Sequence, residues 1–164
     1  MSFVHQCIKF FVSGCGVGFL PKAPGTWGSL LALLVFWWVP TTDLLSVLIV
    51  LFFLSWVGTF LYLKTTRTKD PQEVVIDEII GQGICLLWIP HTLGWWSIAF
   101  VLFRFFDITK PFPVSWADQL KGPLWIQSLA VLLDDIIAGL MASLLLILGL
   151  YLLPTPLGAT VDHP

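Results

Sequence analysis

Charge is the property that this sequence has least of. Only 11% of its 164 residues are charged and 57% are hydrophobic, whereas a soluble domain is about 25% charged. Together with a mean hydropathy of +0.92, this excludes an ordinary soluble domain and predicts an integral membrane protein. The formal net charge of −2 provides no basic surface, so we expect no nucleic-acid partner.

Cysteine and histidine are also scarce, with three residues of each. The cysteines do not have the spacing of metal ligands, and we interpret them as reduced packing residues. No Ser–His–Asp set can be assembled near the charged segments. Covalent thiol or serine catalysis is therefore not predicted, which leaves water activated by a metal ion as the candidate chemistry.

Apolar runs separated by short polar segments make up most of the chain. The runs cover residues 29–39, 44–63, 74–89, 95–106, 124–133 and 136–153. They lack the alternation of strands, and helices are the default structure of an open chain in lipid. Two runs, 44–63 and 136–153, have the length of about 20 residues that crosses a bilayer. We predict one all-α integral membrane domain over residues 1–164, with about four to five membrane-embedded helices.

Lysine and arginine define one side of the membrane. If the helices run alternately outward and back, with turns at Pro40 and Pro90, every basic residue falls on the same side. These residues are Lys9, Lys22, Lys64, Arg67, Lys69, Arg104, Lys110 and Lys121. The positive-inside rule makes this side cytoplasmic. All acidic residues except Asp43 and Asp162 also fall there, so we expect an active site at the cytoplasmic interface.

The acidic residues of that side form tight groups at the ends of apolar runs. A charged group near bilayer depth is costly, so its presence needs a reason. Asp77 and Glu78 lie near the start of the helix predicted at 74–89, where the helix dipole favours carboxylates. Carboxylate oxygens are also ligands of Mg²⁺, which keeps several waters and leaves positions for a substrate phosphate. Helix N-terminal charge alone is the competing interpretation.

A second charged group follows the run at 95–106. Arg104, Asp107 and Lys110 are spaced at i, i+3 and i+6, so a helix that continues through Lys110 puts them on one face. Pro111 then ends that helix. Arg104 and Lys110 could hold a phosphate while Asp107 holds the metal or orients water. Juxtamembrane positive charge with one ion pair is the competing interpretation.

The third group, Asp134 and Asp135, is predicted to open the last helix. Neighbouring residues on a helix point about 100° apart, so one aspartate can cap the helix while the other reaches the site, or the reverse. Capping of the helix and interaction with its dipole alone would also explain the pair.

A glycine-rich segment near the N-terminus, GCGVGFLPKAPGTWGS at 14–29, could bind an anion. Backbone amides in such a loop can cradle a phosphate, with Lys22, Thr26 and Ser29 as side-chain donors. The residue order of a P-loop is missing, and an ordinary loop is the competing interpretation.

Four blocks, in this order, resemble the phosphatidylglycerophosphatase A family. They are PGTWGS at 24–29, the stretch from Asp70-Pro71 to VIDEIIG at 75–81, FRFFDITKPFP at 103–113 and DDIIAG at 134–139, within about residues 14–140. The resemblance implies a multi-pass enzyme of the bacterial inner membrane. Such an enzyme uses Mg²⁺ to hydrolyse phosphatidylglycerophosphate to phosphatidylglycerol and phosphate, a step of phospholipid biosynthesis.

Residue by residue, the resemblance assigns roles to the charged groups. The acids expected in metal binding and catalysis are Asp77, Glu78, Asp107, Asp134 and Asp135. Arg104 and Lys110 are expected in catalysis and substrate binding. The residues that match the N-terminal block are Pro24, Gly25, Thr26 and Ser29. The segment at 122–131 departs from the family pattern, which has a Gly-Gly pair before the paired aspartates, and this bears on substrate range.

Two other functions remain open on the residues alone. One is a small membrane transporter or channel with a carboxylate path for cations, and the other is a phosphatase for a different phosphorylated lipid. Carboxylates in a transporter should lie near the middle of the bilayer with partners from both sides, whereas here they converge on one face. The residues do not indicate the number of metal ions or the oligomeric state. They also leave open whether water attacks the phosphorus directly or an aspartyl-phosphate intermediate forms.

Overall fold

In a computed structural model, residues 3–66 and 71–152 are described. They form helices throughout, with no strand in these two ranges, as predicted. The helices are α1 (Phe3–Val12), α2 (Pro24–Phe36), α3 (Thr41–Thr66), α4 (Ile76–Leu86), α5 (Leu93–Thr109), α6 (Val114–Asp118) and α7 (Leu124–Leu152), with a one-turn 3₁₀ helix at Val17–Phe19. Predictions for Arg67, Lys69, Asp70 and the chain from Pro154 lie outside the described residues.

Local sequence signals set most of the helix ends. Pro24 starts α2 in the first turn, where its fixed φ is favourable and its missing N–H costs nothing. The Thr92 hydroxyl accepts a hydrogen bond from the backbone N–H of Trp95 and caps α5. Lys110 ends α5 in the left-handed conformation, with φ 43°, and Pro111 follows it. The helix predicted to continue through Lys110 therefore stops at Thr109.

By length and composition, two helices could cross a membrane. α3 has 26 residues and α7 has 29, with mean hydropathies of 2.5 and 2.3 over their most apolar windows. At about 1.5 Å per residue, both exceed the roughly 30 Å thickness of a hydrocarbon core. α2, with 13 residues, and α5, with 17, are shorter.

α7 corrects the prediction of a helix that opens at the paired aspartates. The apolar stretches at 124–133 and 136–153 were expected to be separate, but one continuous helix runs from Leu124 to Leu152. Asp134 and Asp135 lie inside this helix, so neither is an N-cap. Aspartate costs less than about 1 kcal/mol in a helix interior. In addition, no proline or glycine lies between Leu124 and Gly139 to interrupt the helix. The helix that contains the first apolar run begins at Pro24, ahead of the run itself.

α4 lies at the centre of the bundle, against α2, α3, α5 and α7. Glycines let α4 and α7 approach closely where they cross, as small residues do between membrane helices. A Cβ atom on Gly81 would lie 2.6 Å from the Asp135 carbonyl oxygen, and one on Gly139 would overlap the Gly81 carbonyl. The Cys85 thiol is 3.4 Å from the carbonyl oxygens of both glycines. This crossing holds the start of α4 beside the middle of α7, and so brings the two acidic pairs together.

Candidate active site

A cavity of about 600 Å³ opens where α2 and α4 begin and α5 ends, with α6 and α7 along its side. Its lining contains six acidic and two basic side chains. These are Asp77, Glu78, Asp107, Asp118, Asp134, Asp135, Arg104 and Lys110. All seven charged residues predicted for catalysis line this one cavity, and Asp118 joins them.

Three carboxylates of the site lie close together. Asp77, Glu78 and Asp135 each offer an oxygen atom, and these atoms lie within 4.8 Å of one another. Asp77 and Asp135 are 7% and 4% exposed. Among the described residues, Glu78 Oε2 and Asp135 Oδ1 are buried without a hydrogen-bond partner. We call these three residues the carboxylate trio.

The donor set of the trio fits a hard divalent cation. Buried carboxylates repel one another and lose hydration, so they require a cation, protons or hydrogen-bond donors. The side chains of the trio supply only oxygen atoms, the ligand type that hard cations prefer. Asp107 and Asp134, predicted as further ligands, are not part of the trio. Asp107 nevertheless lines the same cavity as Asp135.

Arg104 and Asp107 form an ion pair beside the trio. Arg104 Nη1 is 2.6 Å from Asp107 Oδ2, one turn of α5 away, and each side chain is 14% exposed. Arg104 Nε is buried and has no hydrogen-bond partner in the described part of the chain. The guanidinium is therefore held in place while it retains donors for a ligand in the cavity.

Lys110 lies nearer to the solvent, between two carboxylates. Its ammonium donates to Asp118 Oδ1 and, over 2.8 Å, to Asp134 Oδ2. Burial alone would lower the pKa of Lys110, but the hydrogen bonds and charges of Asp118 and Asp134 outweigh it and raise this pKa above its ordinary value. Lys110 therefore remains positively charged at physiological pH.

Asp118 is the charged residue of the cavity that reasoning from the sequence missed. It ends the five-residue helix α6, eight residues after Lys110, and its side chain is 41% exposed. Little in the sequence indicates that Asp118 belongs to the site, because neither a helical spacing nor an apolar run connects it to Lys110. The turn after Lys110 brings the two side chains together.

The glycine-rich segment reaches the cavity through its backbone. Ala23, Pro24 and Gly25 line the cavity wall. A Cβ atom on Gly25 would overlap the Glu78 carboxylate and lie 3.0 Å from Arg104 Nη1. A side chain at position 25 would therefore displace the end of the Glu78 or the Arg104 side chain.

The three predicted donors of this segment lie outside the cavity lining. The Lys22 side chain is exposed, and its carbonyl accepts a hydrogen bond of 3.2 Å from the Trp27 indole. The buried Ser29 hydroxyl donates over 3.0 Å to the Gly25 carbonyl, and Thr26 is half-buried on the first turns of α2. Substrate binding by Lys22, Thr26 and Ser29 stays a prediction.

The chain is similar over most of its length to named bacterial proteins. A provisionally named phosphatidylinositol-3-phosphatase of Bacteroides thetaiotaomicron is 38% identical over 144 residues, which cover 82% of this chain and 87% of the relative. The phosphatidylglycerophosphatase A of Haemophilus influenzae is 37% identical, over 82% of this chain and 83% of that protein. The phosphatidylglycerophosphatase A of Escherichia coli is 34% identical, over 79% and 76%.

No solved structure matches the chain. The family model of phosphatidylglycerophosphatase A matches residues 10–150, a range that contains every charged residue of the cavity. The chain therefore belongs to the phosphatidylglycerophosphatase A family.

Proposed function

We propose that this protein is a Mg²⁺-dependent phosphatase that hydrolyses phosphatidylglycerophosphate to phosphatidylglycerol and phosphate at the cytoplasmic face of the bacterial inner membrane. The observation that carries the proposal is the charge of the cavity, in which six acidic side chains face two basic ones. Such a lining repels a phosphate anion unless cations bind to it first. Family membership supports the same activity, and we assign it to one domain over residues 1–164.

The carboxylate trio is the candidate metal site. Asp77, Glu78 and Asp135 would hold one or two Mg²⁺ ions, with Asp107 and Asp134 beside them as further candidate ligands. When bound, Mg²⁺ would neutralise the charge of the phosphoryl group and promote formation of a nucleophilic hydroxide. This accounts for an acidic cavity in an enzyme whose substrate is itself an anion.

The chain's own residues perform the remaining tasks. Arg104 offers a planar fork of N–H donors that matches two phosphoryl oxygens, and Asp107 holds that fork in position. Such preorganised donors stabilise the charge that develops during phosphoryl transfer. Asp134 Oδ1 is buried without a hydrogen-bond partner among the described residues, so it can accept the proton that an attacking water must lose.

Exposed apolar side chains support embedding of four helices in the membrane. Leu34 on α2, Val50 on α3, Val101 on α5 and Leu144 on α7 are each more than half exposed. In water these surfaces would be unfavourable, whereas lipid tails would cover them. We therefore propose that α2, α3, α5 and α7 are membrane-embedded, with α4 enclosed among them.

The depth of the site follows from the length of α7. Beyond Asp135, α7 continues apolar from Ile136 to Leu152, which is about 25 Å of helix. This length nearly equals the thickness of a hydrocarbon core, about 30 Å, and places the paired aspartates near one boundary of the bilayer. Lys64 lies in the last turn of α3 and Lys110 follows α5, which favours the cytoplasmic boundary.

Phosphate release from phosphatidylglycerophosphate by the detergent-purified protein tests the proposal. We expect release with Mg²⁺ and none after addition of excess EDTA. Asp77→Asn should abolish release, whereas Asp43→Asn, an equal charge change at the exposed start of α3, should not alter it. Absence of release by the folded wild type, or full release by Asp77→Asn, would contradict the proposal.

A different phosphorylated lipid is the second candidate substrate. The Bacteroides relative is named for phosphatidylinositol 3-phosphate, and the altered segment at 122–131 borders the cavity at Gln127 and Ala130. In both lipids, a phosphodiester joins the headgroup to diacylglycerol. A phosphomonoester is attached to the headgroup two carbons away from the carbon that bears the phosphodiester. Parallel assays on the two lipids decide between them. A cation path is less well supported, because the carboxylates surround one cavity rather than lining a path with partners from both sides of the membrane.

A further inference from the structure

The two basic residues of the cavity lie at different depths. The Arg104 side chain is 14% exposed. It lies next to the carboxylate trio, because a Cβ atom on Gly25 would meet both Arg104 and the Glu78 carboxylate. The Lys110 side chain is 32% exposed, and its partner Asp118 is 41% exposed. Arg104 therefore belongs to the floor of the cavity, and Lys110 and Asp118 belong to its mouth.

On the basis of the proposed function, we propose that Lys110 binds the phosphodiester of the substrate. Until the substrate arrives, the Asp118 carboxylate pairs with Lys110 at the position that the phosphodiester will take. A lipid that enters headgroup first puts its terminal phosphomonoester on the floor, beside Arg104 and the trio. The phosphodiester, closer to the lipid tails, then lies at the mouth. The two phosphates of one headgroup are thus bound by different residues.

The surface around the mouth matches this orientation. Phe112, in the turn that leads into α6, is 80% exposed, and Trp116, on α6 itself, is 56% exposed. Exposed aromatic side chains of this kind favour the interface between lipid and water. The diester of a membrane-anchored lipid lies at that same level, because it joins the headgroup to the diacylglycerol.

The hydrogen bonds of Lys110 leave room for one exchange. An ammonium has three N–H donors, and two of them are engaged by Asp118 and Asp134. The Asp134 side chain is 10% exposed, so its bond is protected from water, whereas the partly exposed pair with Asp118 contributes little. A phosphodiester carries a single negative charge, as Asp118 does. It can replace Asp118 without changing the charge balance at Lys110, while Asp134 keeps the ammonium in position.

Binding of the two reaction products separates the two subsites. Dihexanoyl phosphatidylglycerol carries the diester alone, and inorganic phosphate mimics the monoester alone. Dissociation constants of both would be measured by titration calorimetry, with Mg²⁺ present, on the detergent-purified protein. Lys110→Met should weaken phosphatidylglycerol binding about tenfold or more, because a hydrogen bond to a charged group is lost, and should alter phosphate binding by less than about threefold.

Three further variants complete the design. Asp118→Asn should tighten phosphatidylglycerol binding by about two- to fivefold, since a competing carboxylate of small net energy is removed. Lys110→Arg keeps the charge and should retain most of the affinity. Lys121→Met removes an exposed charge that lies outside the cavity and should change neither constant. Thermal unfolding in detergent would verify that each variant is folded.

The proposal is overturned if Lys110→Met weakens phosphate binding as much as phosphatidylglycerol binding, or weakens neither. Unchanged or weaker phosphatidylglycerol binding by Asp118→Asn overturns the exchange of Asp118 for substrate. Failure of the proposed function gives a different result, in which the wild type releases no phosphate from phosphatidylglycerophosphate. The Asp118 variant tests the idea even if the Lys110 variants do not fold.

Discussion

Substitution of Gly81 by alanine tests whether the crossing of α4 and α7 positions the carboxylates. A Cβ atom at this position would lie 2.6 Å from the Asp135 carbonyl oxygen and 2.6 Å from Phe103 Cε2. Carbon–oxygen contacts in proteins settle near 3.3–3.6 Å, so α7 must move away from α4 by roughly 0.7–1 Å. The Phe103 ring is fully buried, so it cannot move aside to make room for the added methyl group.

The expected effect on activity is larger than the effect on stability. Overpacking costs about 1–3 kcal/mol, and alanine recovers about 1 kcal/mol through its helix propensity, so Gly81→Ala should remain folded. A misplacement of about 1 Å at a reacting centre can cost about 100-fold, equivalent to about 2.7 kcal/mol of activation free energy. We expect phosphate release from phosphatidylglycerophosphate to fall by that factor, because Asp135 moves relative to Asp77 and Glu78.

Gly149→Ala is the matched control on α7. Its Cβ would meet Trp95 at 3.9 Å, an ordinary contact, so the variant gains helix propensity without displacing a helix. It should keep wild-type activity and be slightly more stable. Phosphate release and thermal unfolding in detergent, with and without Mg²⁺, would be compared for both variants. Activity of Gly81→Ala within about twofold of wild type, with an undiminished Mg²⁺-dependent shift in melting temperature, would refute the argument, because 100-fold was expected.

The other predictions concern charge. In the absence of metal, Asp77→Asn should melt no lower than the wild type, because it relieves repulsion within the trio; a clearly lower melting temperature would argue against that repulsion. Mg²⁺ at about 100 times its dissociation constant should stabilise the wild type by about 2.7 kcal/mol and Asp135→Asn by much less, as unfolding curves would reveal. Arg104→Lys should lose most activity although charge is conserved, since an ammonium lacks the planar fork; full activity would exclude bidentate binding. The raised pKa of Lys110 means that its stabilising contribution is complete below the unfolded pKa of about 10.4 and is lost only as pH rises through the folded value. The stability difference between wild type and Lys110→Met should therefore be constant between about pH 7.5 and 9, and a marked change over that range would contradict the assignment.

Local signals in the sequence predicted some parts of the site and could not predict others. Asp77 and Glu78 lie in the first turn of α4 as expected, because the end of a polar segment and the helix dipole both act locally. Asp134 and Asp135 were expected to open a helix, since acidic residues favour N-termini. In the fold they lie inside α7, and the neighbouring α4 and Lys110 supply the reason for their burial. That reason is tertiary and leaves no pattern along α7 itself.

Close approach was the second feature hidden from sequence reasoning. In the segment at 14–29, hydroxyl and ammonium groups were predicted to bind the substrate. A Cβ atom on Gly25, however, is the one that would meet the Glu78 and Arg104 side chains. The role of a glycine that makes room for other side chains can be recognised only when its neighbours in the fold are known. α1 was not anticipated either. It packs against α3, and its exposed Phe3 and Phe10 belong to a run too short to suggest a membrane helix.

The continuity of α7 has a consequence for how the enzyme would respond to its membrane. The paired aspartates and the apolar stretch from Ile136 to Leu152 belong to one helix, so the carboxylates cannot change depth independently of that stretch. In a bilayer thicker than the stretch, tilt cannot compensate, and the acids would be drawn toward hydrocarbon or the lipid around the helix would thin. In a thinner bilayer, the helix would tilt and rotate the site relative to the headgroups. Catalytic rate should therefore vary with acyl-chain length in reconstituted vesicles, even when substrate and Mg²⁺ are saturating, which would couple phosphatidylglycerol production to the thickness of the membrane it builds.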